Sequence, residues 1–250
     1  MHVDTRAIER AVEHRPWPLP AGSWVMFQSW QRLLFAHWRV AVGTMQAVVP
    51  SPLVVEEFDG SAWLGLTPFE VRGLRARGMP EVPGLSRFPE LNVRTYVRDA
   101  DRPGIFFFTL EAASLAAVAA ARALFRLPYH HARMRIAQDG DWIDYRSART
   151  ASDAEFIGRY RPAGEVFEPA PGTLAHFLTE RYALHTVLRN GRVLSAEIHH
   201  RPWPLQPAEA HITRNTVLAA HGLNVEGAPL LHYAARQDTL IWGPQLSARE

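Results

Sequence analysis

A chain of 250 residues with 47% hydrophobic and 21% charged side chains can bury a sizeable core and has the composition of a folded protein. It contains no cysteine, which excludes disulfides, thiolate zinc sites and cysteine nucleophiles, and no lysine, so all 27 basic residues are arginine. With 25 acidic residues against them the formal net charge is only +2, and no nucleic-acid-binding motif accompanies the arginines.

No Pro/Ser/Gly-rich linker divides the chain, so a single domain over residues 1–250 is expected. The N-terminus lacks the apolar run of a signal peptide. The most apolar segment, Ala112–Leu127, is broken by Arg122 and Arg126 and is too short to span a bilayer. The expectation is a cytoplasmic protein that binds neither membrane nor nucleic acid.

In chain order, Thr5–Glu13 reads as a short helix capped by Asp4 or Thr5 and ended by the proline cluster at Pro16, Pro18 and Pro20. Trp24–Val42 alternates as a long strand does, and a short helix over Thr44–Val49 stops at Pro50. Val54–Phe58 and Ala62–Leu66 read as a hairpin around Asp59-Gly60, with the second strand running on to Phe69. Arg72–Arg87, rich in Gly, Pro and Arg, reads as a long loop able to cover a cavity mouth. Phe88–Arg98 and Gly104–Leu110 are strands, Ala113–Phe125 is an alanine-rich helix ended by Leu127-Pro128, and Tyr129–Ala137, Trp142–Arg149 and Glu155–Arg161 form a meander. The last third predicts a helix at Thr173–Thr179 and strands Tyr182–Leu188 and Arg192–His200 around Asn190-Gly191. A helix at Arg214–His221, closed by Gly222, follows. Strands outnumber helices, and the fold class expected is α+β, mainly β: a large barrel or a pair of curved sheets with helices packed outside. The hexapeptide HRPWPL occurs at His14–Leu19 and again at His200–Leu205; it reads as two similar rigid surface turns, or as an internal duplication.

The chain is organised around Phe88–Arg98. One face of this strand carries Leu91, Val93, Thr95 and Val97; the other carries Glu90, Asn92, Arg94 and Tyr96. The strands on either side are apolar at nearly every position, as strands covered on both faces are. A strand between such neighbours is central, and its polar row lines an internal cavity unless it simply faces water.

Sequence motifs for other chemistries are lacking. No HExxH, GxSxG, Walker loop or GxGxxG occurs. The adjacent pairs His130-His131 and His199-His200 would point to opposite sides of a strand, so neither pair chelates one ion there. No metal site and no cofactor is expected.

Several segments together resemble the YqjF-like family, grouped with the acetoacetate decarboxylase-like superfamily. They are WQRLLFAHW at 30–38, the Phe58-Asp59-Gly60 turn, PELNVRTYV at 89–97, GIFFFTL at 104–110, Leu127-Pro128-Tyr129 and Pro202–Leu205. The resemblance implies a closed β-barrel with its site inside. In acetoacetate decarboxylase a lysine pair follows a proline after the apolar helix; here Tyr129 and His130 stand in that place. The decarboxylase's buried glutamate matches Glu90, and its carboxylate-holding arginine matches Gln31. Imine chemistry needs a neutral amine, and arginine is not one; the chain is therefore not expected to be a Schiff-base decarboxylase.

Two functional readings follow, with a third in which the barrel is filled and purely structural. The first is a small-molecule-binding sensor or carrier using Gln31, Glu90, Asn92, Arg94, Tyr96 and Tyr129 as polar pocket groups. The second is an enzyme acting on a carbonyl or carboxylic compound, with Glu90 or His130 as general base and Tyr129 as acid or oxyanion donor. The partner expected is a small molecule, with homo-oligomerisation left open.

Overall fold

The computed structural model describes residues 3–247. Helix α1 (Thr5–Arg10) is capped by Asp4, whose Oδ1 accepts hydrogen bonds from the Arg6 and Ala7 amides, each at 3.0 Å. There follow β1 (Met26–Val40), α2 (Val42–Val48), β2 (Val54–Val55), β3 (Ala62–Ala76), β4 (Phe88–Asp99), β5 (Arg102–Ala112) and α3 (Leu115–Leu124). The meander is β6 (Tyr129–Asp139), β7 (Trp142–Arg149) and β8 (Glu155–Pro162). The chain closes with α4 (Leu174–Thr179), β9 (Ala183–Val187), β10 (Val193–His199), β11 (Leu205–Asn215), β12 (Leu230–Ile241) and β13 (Gln245–Leu246).

All thirteen strands belong to one sheet, and the sheet closes on itself twice. Strands β1, β3, β4, β5 and β12 form a wall common to two rings. One ring of seven strands is completed by β9 and β10, through the β5–β9 and β10–β12 pairings. The other, of nine strands, is completed by β6, β7, β8 and β11. Most ladders are antiparallel. The β5–β6 pairing is parallel and so needs a crossover, which α3 supplies.

The shared wall explains the sequence pattern. Ala62–Val71 of β3 is buried at every position, because one face looks into each ring. In β4, Leu91, Val93 and Val97 join Leu64, Tyr145 and Phe156 in the core of the nine-strand ring. They were expected to pack under outer helices; α2 contributes Met45 to this cluster, but most of the cover comes from the strands of the second ring. Tyr145 spans that ring, its hydroxyl donating to the Glu90 carbonyl at 2.6 Å, and Tyr160 donates to the Arg32 carbonyl at 2.6 Å.

Two irregularities set which side chains face which ring. Arg32 takes φ 53°, and the β1–β3 ladder breaks between Gln31 and Ala36. Before this bulge Met26, Gln28 and Trp30 face the seven-strand ring; after it the facing residue is Leu33. In β5 a register shift opposite Val93/Arg94 likewise turns both Phe107 and Leu110 to the same side.

Several expectations are corrected. The strand after Asp59-Gly60 runs to Ala76, so the loop before β4 is residues 77–87 rather than Arg72–Arg87. Val54–Val55 pairs with β4 instead of forming a hairpin with β3. Arg214–His221 holds the end of β11 and a single 3-10 turn at Ala219–His221, not a helix; Gly222, at φ 70°, closes the turn. The two HRPWPL copies are not separate surface turns. They meet: His14 Nε2 lies 2.7 Å from the His200 carbonyl, Arg15 donates to the Ile198 carbonyl at 2.7 Å, and the His14 and His200 rings both pack on Tyr182.

One glutamate holds the entrance side of this architecture together. Glu70 on β3 accepts from Arg32 at the β1 bulge, from Arg72 at 2.9 Å and from Arg87 ahead of β4 at 2.6 Å. Burial pushes its carboxyl up, but the hydrogen bonds from Arg32, Arg87 and Arg72 outweigh this and hold it below the usual carboxylate range. Because the folded pKa is depressed, the stabilisation is fully present above the unfolded value of about 4.5 and is lost as pH falls through the folded pKa. Glu70→Ala is expected to cost about 3 kcal/mol, the low end for a broken buried ion pair, since Arg72 and Arg87 reach water. Urea denaturation at pH 7 and at pH 3.5 checks this: the gap between wild type and variant should narrow at the lower pH.

Candidate functional site

The seven-strand ring encloses a cavity of about 410 Å³, within the range of roughly 300–1,000 Å³ typical of small-molecule sites. Every strand of the ring contributes to its wall, from Met26 on β1 to Ile241 on β12. Helix α3 lies across it with Ala116, Ala117, Ala120 and Ala121, whose small side chains let the helix approach closely. Leu74, Leu85 and Leu124 stand along its edge, and Leu85 and Leu124 are also exposed to solvent, which marks the mouth.

The lining is mostly aliphatic and aromatic, with a short row of polar groups on β4: Glu90, Asn92 and Arg94. The strand period puts all three on one face, and about 13 Å separates the Cα atoms of the first and last. Thr67 Oγ1 on β3 donates to Asn92 Oδ1, which leaves the Asn92 amide nitrogen free to donate. Gly65, opposite both His37 and Arg94, leaves room for them. A Cβ there would lie 3.1 Å from the His37 ring and 3.2 Å from Arg94 Cγ.

Glu90 is 5% exposed and has no basic partner among the described residues. The Tyr129 hydroxyl donates to it, 3.1 Å from each carboxyl oxygen. Burial pushes the Glu90 carboxyl up to about 8, against the opposing pull of the Tyr129 hydrogen bond. Burial and the Glu90 carboxyl together drive the Tyr129 phenol well above its ordinary value. Near pH 7 the site therefore presents a neutral carboxylic acid backed by a phenol, a pair that can donate a hydrogen bond or a proton to a carbonyl oxygen.

At the other end of the row, Arg94 is 8% exposed; its Nη2 donates to the Leu178 carbonyl at 3.2 Å. Its Cζ lies 5.1 Å from the Phe35 ring centre and 5.7 Å from that of Tyr96. Arg181 also lines the cavity but is paired with Glu56. His200 and Trp203 form part of the wall, with ring centres 5.3 Å apart; the His200 Nε2 and Trp203 Nε1 atoms are buried without a partner.

Four of the expected pocket residues line the cavity: Glu90, Asn92, Arg94 and Tyr129. Three candidates stand elsewhere. Gln31 precedes the β1 bulge on the opposite face and donates to Ser29 Oγ at 3.2 Å. Tyr96 shares the face of Arg94 but sits beyond the cavity, 2.7 Å from His37 Nε2 and donating to the Leu178 carbonyl at 2.8 Å. His130, next to Tyr129 on a strand, points the other way; burial, then Arg149, Arg122 and His221, hold it down to about 4. Sequence reasoning did not identify Thr67, Arg181, His200, Trp203 or the lid role of α3. The repeated HRPWPL was the one signal that touched two of them.

Fold and cavity define a class: a mainly β protein whose closed sheet, similar in fold to acetoacetate decarboxylase-like proteins, surrounds a ligand-sized cavity of its own. The enduracididine biosynthesis enzyme MppR, in a structure with pyruvate, superposes with a TM-score of 0.63 over 93% of each chain at 10% identity. Acetoacetate decarboxylase from Legionella pneumophila superposes with a TM-score of 0.59 over 97% of this chain and 95% of that one at 14% identity. At such identities the likeness is one of fold. The chain belongs to the DUF2071 family of uncharacterized conserved proteins, whose pattern matches residues 27–238. It is 47% identical over 226 residues to the uncharacterized protein YqjF of Bacillus subtilis (strain 168), covering 90% of this chain and 93% of that one. Among the described residues no helix is long and apolar enough to cross a membrane.

The raised pKa of Glu90 has a measurable sign. The contribution of Glu90 to stability is fully present below the unfolded value of about 4.5 and is lost as pH rises through about 8, where the buried carboxyl ionises. Difference infrared spectra should show a protonated carboxyl at pH 7 that is absent from Glu90→Gln. Tyr129→Phe, which removes the hydrogen bond favouring the anion, should move the midpoint higher. Gly65→Ala should leave that midpoint in place while disturbing Arg94, seen as altered Arg94 side-chain NMR signals.

Proposed function

We propose that this protein binds a small carbonyl or carboxylic compound non-covalently inside the seven-strand ring, acting as a carrier or sensor. The observation that carries the reading is the neutral Glu90 carboxyl with its Tyr129 partner, 3.1 Å away, facing an otherwise apolar cavity of about 410 Å³. The Glu90 O–H, its carboxyl held by the Tyr129 hydroxyl, is a donor in an apolar cavity and recognises an acceptor oxygen strongly, because an unfilled buried donor is costly and a filled one is not. The lysine-free sequence removes the side chain that would form an imine, so recognition ends at hydrogen bonding. Support for the ligand class also comes from the fold neighbour MppR, whose structure holds pyruvate, a small keto acid.

The same pKa favours an enzymatic reading as the alternative. A carboxyl titrating at about 8 changes protonation near neutral pH, as a general acid or base must. In that case Glu90 exchanges the proton and Tyr129 steadies the developing oxyanion. Keto acids, lactones and aromatic aldehydes, screened by thermal shift and for turnover, separate the two. Binding without turnover supports the carrier reading, and turnover abolished by Glu90→Gln supports the enzyme. Bound ligands should lose affinity as pH rises through about 8 in wild type but not in Glu90→Gln. Borohydride added with acetoacetate should leave the intact mass unchanged; a reduced adduct mapping to the cavity contradicts non-covalent binding. Failure of every compound to shift the melting temperature contradicts the function as a whole.

A further inference from the structure

Three arginines are buried among the described residues: Arg15, Arg94 and Arg181. Arg15 is paired with Glu197 at 3.0 Å, and Arg181 with Glu56. Arg94 alone has no carboxylate partner. Its Nε is buried with no hydrogen-bond partner, and the Leu178 carbonyl that accepts from its Nη2 is shared with the Tyr96 hydroxyl. Burying an unpaired charge costs several kcal/mol, and the Phe35 and Tyr96 ring faces return only part of that. The neighbouring groups add no negative charge: Tyr96 is pushed up by burial, and burial holds His37 neutral. A guanidinium in this condition, lining a cavity, lacks one thing, an anion.

We propose that the ligand is an apolar-tailed monocarboxylate that enters head first. Its carboxylate is bound by the Arg94 guanidinium at the closed end of the cavity, and its tail runs past Asn92 and Glu90 to the mouth under α3. This rests on the binding function above and specifies its ligand. A planar carboxylate suits the guanidinium fork. Beyond Arg94 the wall is Leu33, Phe107, Leu110, Ala117 and Phe125, with Leu124 and Leu85 at the rim, a surface that favours methylene or ring carbons over a second charge. An oxygen partway along the tail finds the Glu90–Tyr129 pair, whereas a second carboxylate there meets a carboxyl and an apolar wall.

Trp30 and Trp203 line the cavity, so intrinsic fluorescence reports occupancy, with calorimetry as the affinity measurement. The probes are octanoate, octanamide, octanol, acetate and suberate at pH 7. Octanoate is expected to bind at least about tenfold tighter than octanamide, the effect of a charge-assisted hydrogen bond, with acetate and suberate weaker. Arg94→Gln should bring octanoate down to the affinity of octanamide and leave octanamide unchanged. Octanamide or octanol binding as tightly as octanoate overturns the carboxylate assignment while leaving a small-molecule cavity in place. Octanoate affinity unaltered by Arg94→Gln overturns the role of Arg94. Absence of binding by any of the five, together with a negative carbonyl screen, overturns both this proposal and the function it rests on. The comparison among ligands uses wild-type protein alone, and Arg94→Lys, which keeps the charge but loses the fork, provides a second variant if Arg94→Gln does not fold.

Discussion

Everything in this molecule depends on one wall of strands being buried on both faces. β1, β3, β4, β5 and β12 serve two rings at once, so along their central stretches successive side chains alternate between the two enclosed spaces. The nine-strand ring is filled: Leu91, Val93, Tyr145 and Phe156 meet in its core, and tyrosine hydroxyls reach across to satisfy backbone carbonyls. The seven-strand ring is not filled, and its free volume is the cavity. A residue's role therefore turns on strand parity, and a bulge that changes parity changes role. Arg32 at φ 53° is what lets Leu33 follow Gln28 and Trp30 into the cavity despite its odd position.

The chain treats buried charge in three ways, and the contrast locates the site. Glu70 is surrounded by three arginines and kept ionised, which fastens the β1 bulge to β3 and to the end of the 77–87 loop at Arg87. Glu90 meets no cation and keeps its proton instead. Arg94 has neither remedy, since among the described residues no acid stands beside it. Buried ion pairs contribute little net stability, so Glu70 reads as architecture. On the proposed function, the neutral acid and the unpaired cation in one apolar cavity are its recognition groups, the cation at the closed end and the acid partway to the mouth.

The residue that follows the crossover helix is a place where the resemblance and the structure bear on the same atoms. Where the resemblance implies an amine after the helix, a phenol stands, and it donates to the carboxyl of Glu90. Helix α3 supplies both the crossover that the parallel β5–β6 pairing requires and the alanine face that covers the cavity. One segment thus answers a topological demand and a functional one.

The sequence by itself determined the strand around which the site is built. Alternation along Phe88–Arg98 separates Glu90, Asn92 and Arg94 from Leu91 and Val93, because the strand period is a local property of the backbone. The apolar neighbours Ala62–Phe69 and Gly104–Leu110 likewise revealed burial on both faces, and the missing lysine left no side chain able to form an imine. β12 escaped sequence reading: His232, Arg236, Gln237 and Asp238 interrupt its apolar residues, and it becomes a strand through its ladder to β1. The bulge at Arg32, which turns Leu33 into the cavity out of step with Met26, Gln28 and Trp30, has no local signature, whereas Gln31 lies off the cavity by the plain alternation of the strand before it. Tyr96 kept the parity expected of it yet fell beyond the cavity, because Leu178 and Phe177 of α4 close that end. Parity is written in the chain; enclosure depends on which distant segments meet, and only tertiary structure decides that.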